Sequence, residues 1–250
     1  MALRRTSGNR TINLIILGLA LSFFLIGGST VQAKTLKASL AQLPVAAENK
    51  DKGVLVDVVK AIGKEAGVEM DIQVVPFKKS MQDVETKKVD FHFPLLVNPQ
   101  TDPSKLNFDY STATVFRVHF VIYSNKAKNI TKSNLKDFNV ETEAAHTGFF
   151  DFPIKPAVDI ESALNKIEKG RIDAFVFSEA DTDLVLKKLG IKNIKRELYN
   201  TFDVKFVLPK GGRGSDLDKL LDAANKKIQD NGEFDRITGG VYKAHSDWQP

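Results

Sequence analysis

The feature that most constrains this chain is a unit it carries twice. Residues 170–181 read Gly-Arg-Ile-Asp-Ala-Phe-Val-Phe-Ser-Glu-Ala-Asp, and residues 87–96, 83 positions earlier, read Lys-Lys-Val-Asp-Phe-His-Phe-Pro-Leu-Leu. In each, basic residues lead through a hydrophobic-Asp pair (Val89-Asp90, Ile172-Asp173) into a short apolar strand. That strand empties into a proline-marked or polar loop, Phe93-Pro94 in one copy and Ser178-Glu179 in the other. Ahead of the later copy, Ile160, Ala163, Leu164 and Ile167 make one helical stripe, with Asp159 as N-cap and Gly170 as the left-handed stop. A helix feeding a buried strand whose carboxyl end opens into a loop is how open α/β sheets present ligand sites. Two such units imply two similar lobes facing one cleft, although any α/β protein with two βα units would show the same pair.

The rest of the chain supplies compatible parts. Leu36–Leu40 reads as a strand, and 42–53 as a loop containing Pro44. Leu55, Val58, Val59, Ile62 and Ala66 keep helical spacing up to Gly67, and Met70–Val75 is β-prone, ending at Pro76-Phe77. Val115–Tyr123, apolar apart from Arg117 and His119, and Asp203–Leu208 are two candidates to cross between lobes. Between them lie a strand around Val140, a turn-rich stretch from Ala144 to Phe150, and a helix through Leu184, Val185 and Leu189 that stops at Gly190. A last helix carries Leu217, Leu220, Leu221, Ala224 and Ile228 on one stripe, opened by a Ser215/Asp218 capping box and ended by Asn231-Gly232. Beyond Gly240 only a short tail remains.

Residues 1–33 belong to a different argument. Arg4, Arg5 and Arg10 precede an apolar run from Leu14 to Gly28, and Val31-Gln32-Ala33 offers small residues for cleavage before Lys34. This pattern predicts a secretory signal peptide and an exported, periplasmic protein. The run is shorter than the roughly 20 apolar residues a membrane span needs. Residues 1–33 contain three Arg and no acid, so their removal lowers the net charge from +5 to +2. The remaining 217 residues suffice for one large or two small domains, and their charge does not mark a nucleic-acid binder. With no cysteine, disulfides, thiol chemistry and Cys-zinc sites are excluded. The four histidines (92, 119, 146 and 245) show no metal-ligand spacing, and no cofactor is expected.

No nucleophile elbow, P-loop or dinucleotide fingerprint is present. The nearest imitation, Lys210-Gly-Gly-Arg-Gly-Ser215, follows a strand and reads first as a turn. Paired acids such as Glu141/Glu143 and Glu179/Asp181 offer acid-base groups, but acids two apart in loops are usually solvated.

The order of parts resembles the family 3 extracellular solute-binding proteins, the amino-acid-binding type that serves ABC importers. The resemblance rests on Gly53-Val-Leu-Val-Asp-Val-Val-Lys-Ala-Ile62, Lys88-Val-Asp90, Asn107-Phe-Asp-Tyr-Ser111, Leu135-Lys-Asp137, Gly170-Arg-Ile-Asp-Ala174, Phe206-Val-Leu-Pro-Lys-Gly211 and Asn231-Gly-Glu-Phe-x-x-Ile237, in that order. It implies an α/β, two-lobed type II periplasmic-binding-protein fold with a cleft and two interlobe crossing strands. The first lobe would comprise residues 34–114 and 206–250, and the second 118–202. It further implies a monomer that hands a small molecule to a membrane permease. A ligand-sensing component for a signalling receptor, or a dehydratase-like cleft enzyme on the same fold, remain alternatives.

The departures from the family pattern narrow the ligand. Amino-acid-binding members place an Arg in a Thr-x-x-Arg turn to pair with the ligand carboxylate; here that turn reads Asn98-Pro-Gln-Thr-Asp-Pro-Ser-Lys105. The ammonium-binding carboxylate position is Ser178, with Glu179 beside it. The pattern leaves open whether Lys105 or Glu179 replaces the missing clamp, and it points away from a standard α-amino acid. The resemblance assigns ligand contact to Phe77, as a stacking ring, and to Leu95 and Val97 on the first lobe. On the second lobe it assigns Glu143, His146, Thr147, Ser178 and Glu179. Plain packing of the apolar residues, and solvated charge for Glu143, are the competing readings.

Overall fold

The protein, as a computed structural model, is described over residues 1–2, 34–43 and 46–250. The expected signal peptide, Met1 and Ala2 apart, lies outside the described residues, as does Pro44. Among the described residues, no helix is long and apolar enough to cross a membrane.

The doubled unit yields what its pattern predicts. In the first copy α2 (Phe77–Glu85) leads to β3 (Phe91–Leu96); in the second α3 (Ile160–Glu168) leads to β8 (Ala174–Ser178). Asp159 caps α3 by accepting from Ser162 N at 2.6 Å, and Gly170 takes the left-handed φ of 67° that a residue with a Cβ avoids. β1 (Thr35–Ala41) and β2 (Glu69–Val75) flank α1 (Val54–Ala66), which buries Leu55, Val58, Val59 and Ile62. Ser215 caps α5 (Asp216–Asp230) by accepting from Asp218 N at 3.3 Å, and the short α6 (Glu233–Thr238) follows.

The strands form one sheet with a division in its middle. Its order is β2-β1-β3-β9-β5-β8-β6-β7, with β4 (Phe108–Tyr110) also paired to β9. On one side β1, β2 and β3 run parallel; on the other β6 (Val140–Glu143), β7 (Lys155–Ala157) and β8 run parallel. Two antiparallel strands, β5 (Phe116–Asn125) and β9 (Ile194–Pro209), join these halves. These are the two crossing strands of a two-lobed fold. β9 is longer than the apolar stretch 203–208 suggests. Its first half, Ile194–Phe202, is charged and polar in pattern, yet it pairs with β5 from Asn125↔Ile194 to Val118↔Phe202.

Separate hydrophobic clusters lie on the two sides of this division. β1, α1, α5 and the far end of β9 bury one cluster around Leu40, Ile62, Phe91 and Phe206. β8, α3 and α4 (Glu179–Leu189) bury another around Leu164, Phe175 and Leu186. The opposite face of the second half-sheet packs Phe120, Ile122, Val140 and Phe150. Leu96 and Val118 touch the clusters of both lobes, at the crossing strands. The tail is the unexpected element. From α6 on the first lobe it returns across β5 and reaches Arg196 and α4 on the second.

Candidate functional site

On the first lobe, Phe77 begins α2 directly after Pro76, and its ring is 49 % exposed. The ring is therefore outside the core, and it meets His92 edge-on at a centroid distance of 5.7 Å. Beneath it lies a buried chain with a single consistent direction. Gln73 Nε2 donates to Ser39 Oγ at 3.0 Å, Ser39 and Ser80 hydroxyls meet at 2.7 Å, and Ser80 Oγ meets His92 Nδ1 at 2.6 Å. His92 Nε2 then donates to the Pro94 carbonyl at 3.2 Å, which fixes Nδ1 as an acceptor. Burial lowers the His92 pKa to about 4, so the imidazole is neutral. Gln73 also donates to Asp83, whose carboxylate pairs with Lys79; that hydrogen bond holds its pKa down against the cost of burial. Leu95 and Val97 are half-buried against Val84, Phe108, Tyr110 and Val207. Lys105 stands in a 3-10 turn with its side chain 80 % exposed, 4.0 Å from Asp102.

On the second lobe, the chain after β6 makes only a 3-10 helix, Ala144–Phe149. Glu143 Oε2 accepts from Ala145 N at 2.9 Å and from His146 Nδ1 at 2.7 Å, so the acid itself occupies the first free amide of this turn. The His146 ring lies 5.2–5.5 Å from Phe120, Phe149 and Phe177. Thr147 Oγ1 turns back to the Ala144 carbonyl at 3.4 Å. The two lobes meet where Asn98 Nδ2, on the loop after β3, donates to the Gly148 carbonyl at 3.1 Å.

Ser178 is buried at the start of α4, while Glu179 is engaged elsewhere. Its carboxylate accepts from Arg196 Nη2 at 2.7 Å, His245 Nδ1 at 3.0 Å and Ser246 N at 3.1 Å. Burial alone would raise the Glu179 pKa; the His245, Ser246 and Arg196 contacts outweigh it and leave the group lowered. Arg196 is the hub. Its Nε lies 2.8 Å from Asp183, Nη1 donates to the carbonyls of Ser246 and Trp248, and its guanidinium lies against the Trp248 ring, 5.0 Å from centroid. Gln249 closes the contact by exchanging hydrogen bonds with Arg196 N and O.

A cavity of about 680 Å³ opens on the second lobe between the N-terminal end of α3 and Val185 of α4, with Phe175 and Phe177 on its wall. Glu143, Asp159 and Glu161 are the ionisable side chains that line it. The sequence reading singled out Glu143 from this group. It missed Phe177, Asp159 and Glu161, because only the pairing of β6 with β7 and β8 brings Glu143 beside the start of α3. The alternation of β8 was the available signal for Phe177: if Ser178 faces one side, Phe177 faces the other.

This architecture and order of parts can be set beside known proteins. The profile of the bacterial extracellular solute-binding proteins, family 3, matches residues 39–240. The chain belongs to that family. No curated protein sequence matches it. Among solved structures it is similar to the GluR0 ligand-binding core of Nostoc punctiforme in complex with L-glutamate: 15 % identity, 84 % of this chain and 100 % of that one, TM-score 0.59. It is similar to the arginine-, lysine-, histidine-binding protein ArtJ of Geobacillus stearothermophilus: 19 % identity, 85 % and 97 % of the two chains, TM-score 0.57. It is also similar to a histidine kinase sensor domain resembling periplasmic binding proteins: 12 % identity, 84 % and 97 %, TM-score 0.58. At these identities the likeness speaks to fold, and the family 3 fold has two α/β lobes around a cleft.

Proposed function

We propose that this family 3 protein is exported to the periplasm, where it captures a small polar molecule other than a standard α-amino acid and delivers it to an ABC importer. The observation that carries the reading is the engagement of Glu179. The one acid beside Ser178 is bonded to Arg196, His245 and Ser246, and Lys105 is a solvated side chain on an outer turn. Neither is free to form the two-ended clamp that an amino acid's carboxylate and ammonium require. What remains facing outward is Phe77 on one lobe, and His146, Thr147 and the edge of Phe177 on the other. An exposed aromatic ring together with adaptable polar groups is suited to holding a solute. A ligand that touches both lobes favours the closed state only by its extra affinity for that state.

The histidine kinase sensor domain among the similar structures favours a second reading, in which the closed form is read by a receptor. In either case the protein acts as a monomeric binder. A cleft enzyme would need an acid poised for proton transfer, and Glu143 instead holds its own turn.

The test is a thermal-shift screen of the purified protein against amines, polyols, sugars and organic acids, repeated on Phe77→Ala. A ligand at 100 times its Kd adds about 2.7 kcal/mol of stability. The expected result is one stabilising class, recovered chemically intact by mass spectrometry. Phe77→Ala should bind it at least about tenfold more weakly while the unliganded variant melts within a few degrees of the parent. Conversion of the compound that disappears in Glu143→Gln would replace binding with catalysis.

A further inference from the structure

We propose that the second-lobe cavity between α3 and α4 binds an organic amine with an apolar body and no carboxylate. The inference rests on the solute-binding reading and assigns a ligand to a pocket that shares only Phe177 with the outward-facing residues named above. The first warrant is size and place. At about 680 Å³ the cavity falls within the range of small-molecule sites, and it opens where three parallel strands, β6, β7 and β8, end.

The second warrant is the lining. Phe177 gives it aromatic surface over the fully buried Phe175, and Val185 and Ile160 add aliphatic surface. Among the described residues its ionisable side chains are Glu143, Asp159 and Glu161, with no Lys, Arg or His in the lining. These acids are not consumed by their local bonds. Asp159 uses Oδ1 to cap Ser162 N, and Glu143 uses Oε2 for Ala145 and His146. Among the described residues, Asp159 Oδ2, Glu143 Oε1 and both Glu161 oxygens accept no hydrogen bond from the protein.

The third warrant is the weighing of sign. The N-terminal end of α3 would by itself attract an anion. That end is already answered by Asp159 as cap and Glu161 in the first turn, so an anionic ligand would meet two fixed carboxylates there. An ammonium group meets free carboxylate oxygens, and the Phe177 ring attracts it further. Exposure of the acids keeps each pairwise gain small, which makes the apolar body of the ligand the larger source of affinity.

The experiment titrates three probes of one shape into the purified protein by calorimetry: phenethylamine, phenethyl alcohol and 3-phenylpropanoate. The amine should bind at least about tenfold tighter than the alcohol, and the carboxylate should give no heat. Glu161→Gln should weaken the amine by about fivefold, and Val158→Arg, at a residue 84 % exposed on the rim, by at least as much. Neither change touches the core, so the melting temperatures should stay within a few degrees. Equal binding of amine and alcohol, preference for the carboxylate, or no binding of the amine would each overturn the proposal. So would binding that ignores Glu161→Gln and Val158→Arg. If the cavity fails while another solute is bound and lost in Phe77→Ala, the amine site falls and the solute-binding reading stands.

Discussion

In the first lobe the buried hydrogen-bonded chain that ends at His92 is neutral and closes its bonds among residues 39–94, with the one carboxylate that touches it, Asp83, paired locally to Lys79. In the second lobe the polar groups around Arg196 are charged, and they depend on residues 245–249 at the far end of the chain. The first network lies under Phe77, and the second ties the first turns of α4 to the start of β9. The first is a hydrogen-bonded chain under an exposed ring; the second is an ion-paired hub under a strap. The difference is one of cost. A neutral chain gives up little when it is desolvated, whereas buried charges are tolerated only while every partner is present. The joint between α4 and β9 is thus conditional on a tail that begins in the first lobe.

The sharpest way to break this contrast is to remove the hub. Arg196→Ala leaves Asp183 buried and Glu179 half-buried without their shared cation, and loss of one partner of a buried pair costs about 3–5 kcal/mol. For a protein of this size that is a fall in Tm on the order of 10 °C. Arg196→Lys should recover little of it, because a single ammonium cannot bond two carboxylates and two carbonyls at once. A scanning-calorimetry trace unchanged in Arg196→Ala would show that the tail and hub are decorative.

A smaller effect should come from pH, and it should come from the first lobe. The His92 pKa is held at about 4 by burial, below the roughly 6.5 of an unfolded chain. Above pH 6.5 both states are neutral and the contribution to stability is complete. As pH falls the unfolded chain takes up the proton first, so stability declines through the window from 6.5 to 4, by up to about 3 kcal/mol. Urea-unfolding midpoints at pH 7 and pH 5 test this. The parent should lose stability between them, and His92→Gln should lose distinctly less; equal slopes would remove the neutral histidine from the account.

The same contrast explains what could be read from the sequence. Helix ends were legible because their signals are local: Asp159 and Ser215 cap within three residues, and Gly67, Gly170 and Gly190 mark left-handed stops. Phe77 could be singled out by likeness of position, and the structure shows it exposed at the start of α2, directly after Pro76. The role of Glu179 was not, because its partners lie 17, 66 and 67 residues away and include a tail without periodic pattern. The start of β9 was hidden for a related reason. Its charged residues look like loop, and it is a strand because β5 offers it a pairing edge along its length.

The central claim is that this family 3 cleft holds a solute without the amino-acid clamp. The most direct measurement is calorimetric titration of L-glutamine, L-arginine and L-glutamate into the purified protein. With Lys105 solvated and Glu179 engaged by Arg196 and His245, none should bind tighter than about millimolar, a free energy near −4 kcal/mol. Micromolar binding of any of the three would require a carboxylate-binding group at the cleft that this account does not contain, and would contradict it.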